Sequence, residues 1–577
     1  MVRSQLLWRG LAAIAFIALA LPASAQTFRV QCPPSTSLHS SDATAAYTGP
    51  TTVPKTITRS DGSHYTLNYV DNGGGIKCQQ ISGGDGFATM GDGTPTYLFG
   101  FGPLSGLSDM VNALPGTQYA SVFNQSSVDS SNAVLDAVAI GAPTPDYTFN
   151  GAIGLVPDPE SVPANQLDGH VDPRLIMDVG VMNANMPAPL MAIDEDDELF
   201  LTLTNVGQIM RPDLFEQHTV HFHGYPNASA FYDGVPDASV AINVGGSFTY
   251  YYLAPDAGTY FWHCHISPPE HLQMGMVGQI YVRPRQNRVP ATMTLYSALQ
   301  AQQADPRTKC GGDILCSSPL PAAGEKHVAG GFVSGVATKM YAYNDGDGST
   351  AYDVEYPIQI HGFDPNFHFV GMTFNPESFT DLKDKYFLLN GRSYPDTVGG
   401  YPCNHTPETY AGCAGKAATD VVPGPMQTQS TDGTMHASQP MPTLINIPVG
   451  GKALLRISDL DVTEFQTLAS LGIPMHVVGV NARLLRDLAG NDMTYDTNSI
   501  TLGGGESVDV ILDASCKVRA SDGTTCTTPY TAGEKYYLYT PNLDHLSNDA
   551  ENFGGLMTEI NLCNSVNPKT KACINSL

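Results

Sequence analysis

Gly258-Thr259-Tyr260-Phe261-Trp262-His263-Cys264-His265-Ile266 reads as a β-strand, rich in aromatic and β-branched residues and opened by a glycine. Side chains alternate across a strand, so Cys264 points to one face while His263 and His265 point to the other. Upstream stands His218-Thr219-Val220-His221-Phe222-His223-Gly224, in which His221 and His223 likewise share a face. Downstream stands His271-Leu272-Gln273-Met274-Gly275-Met276. Strands that alternate in the same way flank these segments, at Leu199 to Thr204, Ser247 to Tyr252 and Gly278 to Val282. The unit expected is a β-sandwich that carries two adjacent metal environments on one strand.

A thiolate, two imidazoles and a weak axial thioether are the ligands that select copper and make a blue electron-transfer site. His218, Cys264, His271 and Met276 fit that set, with Met274 as the competing axial candidate. Cysteine arithmetic singles out the thiol. Of eleven cysteines, four near-neighbour couples suggest themselves: Cys310 with Cys316, Cys403 with Cys413, Cys516 with Cys526, and Cys563 with Cys573. Cys32 and Cys78 are left to pair with each other, and Cys264 is the odd one out.

An oxidising compartment is expected. Residues 1–25 have a basic start at Arg3 and Arg9, an apolar run from Leu11 to Leu21 and Ala23-Ser24-Ala25, the form of a cleaved secretory signal. Export to the periplasm or the extracellular space follows, with no membrane span after cleavage. Cleavage removes two of the 28 basic side chains and none of the 55 acidic ones, leaving a formal charge of -29. Such acidity argues against a nucleic-acid partner and favours cations near the surface.

With 57 Gly, 42 Pro and 14% charged residues, and with few amphipathic helical periodicities, the chain reads as all-β, with two Greek-key sandwiches decorated by long loops. The expected layout after the signal is an N-terminal extension over 26–84 and a metal-binding sandwich over 85–290 with an insertion at about 105–170. A connector over 291–380 and a second sandwich over 381–577 complete it.

The pattern H-x-x-H-x-H-G, then H-C-H, then H-x-x-x-G-M resembles the copper motifs of the multicopper oxidases, a family that includes the laccases. Asp233-Gly234-Val235-Pro236 and Val244 to Tyr250 resemble that family's framework too. The resemblance implies the cupredoxin form of the sandwich and type 1 roles for His218, Cys264, His271 and Met276, the axial ligand being Met276 by the family's spacing. It implies that His221, His223, His263 and His265 belong to a type 2/type 3 centre where molecular oxygen is reduced. One local departure is that His271 follows Cys264 by seven residues, where laccase-like motifs have five, so the Ser267-Pro268-Pro269-Glu270 stretch is expected to loop out.

The family builds its oxygen centre between two domains, and the second half is missing here. Its expected places read Pro474-Met475-His476-Val477 and Tyr539-Thr540-Pro541, with His545 as a relic. His361 and His368 read as loop or packing residues of the connector. A homo-oligomer in which two copies each contribute four imidazoles is one expectation, and a reduced centre completed by a neighbour's His476 is another. The function expected is one-electron oxidation of a small reducing substrate, either a phenol or a cation such as manganese(II), iron(II) or copper(I), at the exposed imidazole of His271 or His218. Electrons would pass through Cys264 to His263 and His265. The alternative is an electron-transfer or copper-binding protein with no oxidase activity.

Overall fold

The strand Gly258–His263 lies inside a four-stranded sheet, between Val277–Arg283 and His221–Phe222, to both of which it is antiparallel. Met191–Asp194 closes that sheet, parallel to Val277–Arg283. The facing sheet runs Pro95–Pro103, Ile76–Thr89, Glu198–Gly207, Ser247–Leu253. Between the two sheets Trp262, Tyr250, Leu201, Leu203 and Ile280 form a core with essentially no solvent contact. Fully burying an aliphatic or aromatic side chain contributes roughly 1.5–3 kcal/mol, which is what holds two half-polar sheets face to face. The fold is a β-sandwich, with only short helices among the described residues.

This computed structural model describes residues 30–125, 149–155, 173–224, 229–254, 256–304, 327–333, 335–369, 379–399, 401–402, 421–422, 426–429 and 435–574. The expected signal over 1–25, part of the 105–170 insertion and the pairs Cys310–Cys316 and Cys403–Cys413 lie outside the described residues. The expected pairs Cys32–Cys78, Cys516–Cys526 and Cys563–Cys573 are disulfides, and Cys264 is free and buried. Among the described residues no helix is long and apolar enough to cross a membrane.

Two boundaries differ from expectation. The strand Ile76–Thr89 belongs to the first sandwich, whereas the extension was expected to run to residue 84. Its Gly83-Gly84-Asp85-Gly86 run reads as a loop, yet these glycines lie mid-strand where other groups press directly on the backbone. The strand Val354–Phe363, which falls within the expected connector, pairs in parallel with Lys452–Asp459. It is a central strand of the second sandwich.

That second sandwich has one sheet in the order Tyr386–Leu389, Val354–Phe363, Lys452–Asp459, Ser507–Asp513, Met475–Val480, Arg483–Leu484. The other runs Ile445–Pro448, Met557–Cys563, Lys535–Tyr539, Gln466–Leu471, Ser499–Leu502. The two sandwiches meet where the strand Gly258–His263 packs on the second domain. There the Thr259 hydroxyl donates to Asp509 at 2.6 Å, Ser507 donates to the Thr259 carbonyl at 2.6 Å, and the Gln279 amide donates to Ser458 at 2.8 Å.

Candidate metal centre

Cys264 leaves the end of its strand pointing into the sandwich, and the backbone there is tied down on the side of the next segment. Its N–H donates to the Met276 carbonyl at 3.1 Å, and the Met276 N–H donates to the His271 carbonyl at 2.9 Å. Cys264 Sγ lies 3.3 Å from His271 Nδ1 and accepts from the Thr219 N–H at 3.4 Å. The ligand atoms of His218, Cys264 and His271 all fall within 4.8 Å of one another. The Ser267-Pro268-Pro269-Glu270 stretch does not loop out; Ser267 takes a left-handed conformation and Pro268–Gln273 forms a short helix, with proline in its first turn where the missing N–H costs nothing. That helix absorbs the two extra residues and delivers His271.

The donor set fits a soft metal. His218 is fully buried, yet neither of its ring nitrogens has a hydrogen-bond partner, and buried polar groups are otherwise satisfied. Burial pushes the Cys264 thiol up, but His271 and His218 outweigh it and hold the thiol well below its usual range, in the thiolate form that copper takes. Met276 is fully buried, and a Cβ placed on Gly83 would come within 2.8 Å of the His218 ring and 3.4 Å of the Met276 methyl. Met276 and His218 therefore border the same space beside Gly83, and Met274 packs in the same core.

One expectation about this site is corrected. Neither His271 nor His218 is exposed; both are completely buried, and Phe99 packs edge-on against His271 at 5.2 Å. The group that reaches His271 from the surface is Glu216, its carboxylate 3.8 Å from His271 Nε2 and partly open to solvent. His271 holds that carboxylate below its ordinary range. The HTVH motif drew attention away from the acid two residues before it.

On the opposite face the ring nitrogens of His221, His223 and His263 lie within 4.8 Å of one another. Each ring is oriented by its other nitrogen. His221 Nδ1 donates to the Asp233 carbonyl at 2.6 Å, His263 Nδ1 donates to the Cys264 carbonyl at 2.6 Å, and His223 bonds the Gly505 backbone. His223 and His263 then point Nε2 at Nε2, 2.9 Å apart. Burial, with help from neighbouring His221, holds His223 down to about 4, and burial beside His223 holds His263 well below its usual value, so both rings are neutral and ready to donate to a metal. His265 stands beside them, its ring 5.5 Å from that of His263 and 5.0 Å from that of His221, but outside that close group.

His221 and His223 edge a cavity of about 530 Å³ whose other wall belongs to the second sandwich, through Asn481, Gly505 and Ser507. Among the described residues the second sandwich places no imidazole there. Its hydrogen bonds say why. The Thr540 N–H donates to the Leu556 carbonyl and the Leu556 N–H to the His545 carbonyl, both at 2.9 Å, repeating the pattern of Cys264, Met276 and His271. Tyr539 pairs with Ala469 across the ladder just as His263 pairs with His221. The register therefore sets Ala469 and Leu471 where His221 and His223 stand, and Tyr539 and Pro541 where His263 and His265 stand. Gln466, Thr540 and Leu556 stand where His218, Cys264 and Met276 do, and His545 stands where His271 does. His476 is not the counterpart of a ligand, since Met475–Val480 lies in the other sheet and His476 binds Asp496 at 2.8 Å, partly exposed. His545 is buried, stacked on Phe387 at 3.9 Å, with both nitrogens committed to Gln466 and Glu464 at 2.9 Å. His361 and His368 are buried at the inter-domain seam.

Comparison with known proteins agrees with the first sandwich. The family model described as multicopper oxidase matches residues 169–287. A multicopper oxidase, MCE, of Talaromyces pinophilus is 33% identical over 122 residues, 21% of this chain and 19% of that protein. The laccase abr2 of Aspergillus fumigatus is 33% identical over 109 residues, 18% of this chain and 17% of its own length. The match thus spans about a fifth of these curated relatives. Among solved structures, the blue copper oxidase of Nitrosomonas europaea is 19% identical with a TM-score of 0.38, covering 66% of this chain and 77% of that one. The multicopper oxidase mgLAC is 14% identical with a TM-score of 0.42, covering 84% and 86%.

Proposed function

We propose that residues 169–287, which the multicopper oxidase family model matches, form a copper-binding domain, and that this chain is an exported oxidoreductase that takes single electrons from a small reducing substrate and passes them to molecular oxygen. The observation that carries the reading is the position of Cys264. It is the thiolate of one buried ligand group and is covalently joined to His263, a member of the other. When bound, copper supplies one-electron redox chemistry at both groups. The protein's part is to hold His218, Cys264, His271 and Met276 in a dry pocket, to orient His221 and His263 through their Nδ1 hydrogen bonds, and to join the two sites through one peptide unit.

The substrate side is defined by Glu216. With His271 buried, an electron donor meets the carboxylate before the imidazole, and a carboxylate on a strongly acidic protein favours a reducing metal cation over a neutral phenol. The second reading, a copper-binding electron carrier, is favoured by the non-ligating wall that Asn481, Gly505 and Ser507 present to the cavity. Completion of the oxygen centre by a second copy of the chain would have to deliver imidazoles into that cavity.

Replacing His263 and His265 together with Ala separates these readings. Oxygen consumption is expected to fall by roughly 100-fold, with the blue absorption of the Cys264 site retained. Undiminished oxygen uptake by the copper-loaded double variant would sink the assignment, and absence of uptake in the wild type itself would favour the carrier. Copper per chain, measured with the mass in solution, tests the second-copy arrangement: more than two coppers per chain in a defined oligomer is its expected result.

A further inference from the structure

The short helix Pro268–Gln273 is the part of the first sandwich that carries His271, yet much of its support comes from the second. His361, on the strand Val354–Phe363, donates from Nε2 to the Leu272 carbonyl at 2.9 Å. His368 stands between two carbonyls, Nδ1 2.5 Å from that of Tyr97 and Nε2 3.0 Å from that of Gln273, and its Nε2–H tautomer donates to Gln273. Asp384, just ahead of the strand Tyr386–Leu389, accepts from the Gln273 amide at 2.9 Å. All of these side chains are buried. An apolar seam runs alongside, in which Leu272 packs with Phe261, Val277, Phe363 and Leu388.

The contacts fall on two consecutive residues, Leu272 and Gln273, immediately after His271. They come from three separate points of the second sandwich. A helix of six residues is not stable by itself, and its first residue follows a left-handed Ser267, so its position is set from outside. Groups that orient a histidine ligand normally bond the ligand's own ring. Here the orientation is applied to the backbone that carries the ligand.

We propose that His361, His368 and Asp384 are positioning residues through which the second sandwich, in which no metal-ligand group is found among the described residues, clamps the helix Pro268–Gln273 and so fixes His271 against Cys264. The proposal rests on the reading of His218, Cys264, His271 and Met276 as a copper site. It assigns the second sandwich a task in electron transfer: it holds the loop of a site that lies wholly in its neighbour. Two of the three residues, His361 and His368, read in the sequence as loop or packing residues of the connector and act through hydrogen bonds to main-chain carbonyls.

The test uses the full-length, copper-loaded protein with His361→Leu, His361→Gln and Gln273→Leu. Glutamine places an amide N–H near the position of Nε2 and is expected to restore the bond that leucine removes. For His361→Leu and Gln273→Leu the expected results are a roughly 10- to 100-fold loss of copper affinity in competition with a chelator, a shifted blue band, and an altered copper hyperfine splitting in electron paramagnetic resonance. His361→Gln should return all three toward the wild type. Wild-type spectra and affinity in folded His361→Leu and Gln273→Leu would overturn the clamp. If His361→Leu does not fold, Gln273→Leu decides alone, because it removes the tether without touching the second sandwich. Absence of any blue band in the wild type would instead remove the underlying copper reading, an outcome distinct from unshifted variants.

Discussion

Gly83 shows how much of the site depends on an atom that is not there. The ideal Cβ at this position would lie 2.8 Å from the His218 ring, closer than real side chains approach, and 3.4 Å from the Met276 methyl. Both neighbours are fully buried, so neither can swing aside. Gly83→Ala is therefore expected to destabilise the protein by about 1–3 kcal/mol through overpacking and to weaken or abolish the blue absorption by displacing His218 or Met276. Thermal unfolding and the optical spectrum check the two effects separately, and an alanine variant with native colour and stability would show that the pocket is looser than its contacts imply. Gly505 plays the corresponding part on the other face, where a Cβ would sit 2.9 Å from His223 Nδ1 on a backbone with φ of +91°. Neither glycine announces itself in the sequence, because a glycine required by a close approach looks the same as one in a turn.

At the level of strands, the second sandwich repeats the first with its copper chemistry removed. The ladder pairing of Tyr539 with Ala469 and the bonds joining Thr540, Leu556 and His545 reproduce those of His263 with His221 and of Cys264, Met276 and His271. Even the outer acid is kept, since Glu464 meets His545 Nε2 at 2.9 Å as Glu216 faces His271 Nε2 at 3.8 Å. Because the frame survives, Gln466→His with Thr540→Cys and Leu556→Met is expected to raise the copper content by one per chain and add a second blue signal. Unchanged copper content in a folded triple variant would mean that the pocket around His545 has closed. The sequence led directly to the first site because ligands fall at fixed spacings on alternating strands. It led to Tyr539-Thr540-Pro541 for the same reason. It pointed to Met475-His476 rather than Ala469-Ser470-Leu471 because a histidine attracts attention, while register is set by pairing with distant strands that no local pattern encodes. Val354–Phe363 was missed on similar grounds, its proline and glycine being tolerable only because Lys452–Asp459 lies alongside in parallel.

Across the whole molecule the two sandwiches are locked by charges as well as by apolar contact, which bears on how the clamp and the cavity keep their shape. Arg283 at the end of the first sandwich's strand reaches Glu355 at 2.5 Å, and Arg456 of the second sandwich reaches the same carboxylate at 3.1 Å, with Arg456 also over the Tyr281 ring at 4.7 Å. Burial alone would raise the Glu355 carboxyl, but Arg283 and Arg456 outweigh it and hold it far below its ordinary range. A carboxylate whose folded value is depressed contributes stability that is present above its unfolded pKa, near 4.3, and is lost as pH falls toward the folded value. Glu355→Gln leaves the buried Arg456 with Asp509 at 3.7 Å and the partly exposed Arg283 without its anion, so it should cost about 3 kcal/mol at neutral pH. The sign of the linkage then dictates the rest. The gap in unfolding free energy between wild type and variant should be widest above pH 5 and should narrow progressively as pH is lowered below about 4.3, because the wild type alone loses the contribution of an ionised Glu355. Denaturant titrations of both proteins at several pH values measure that gap, and a difference that stays constant with pH would show that Glu355 acts through shape rather than charge. Since the same seam carries Thr259, Asp509 and the wall of the histidine cavity, an orientation loosened by Glu355→Gln should also reach the copper site, and its spectrum at neutral pH reports whether the charge lock and the clamp act on one rigid body.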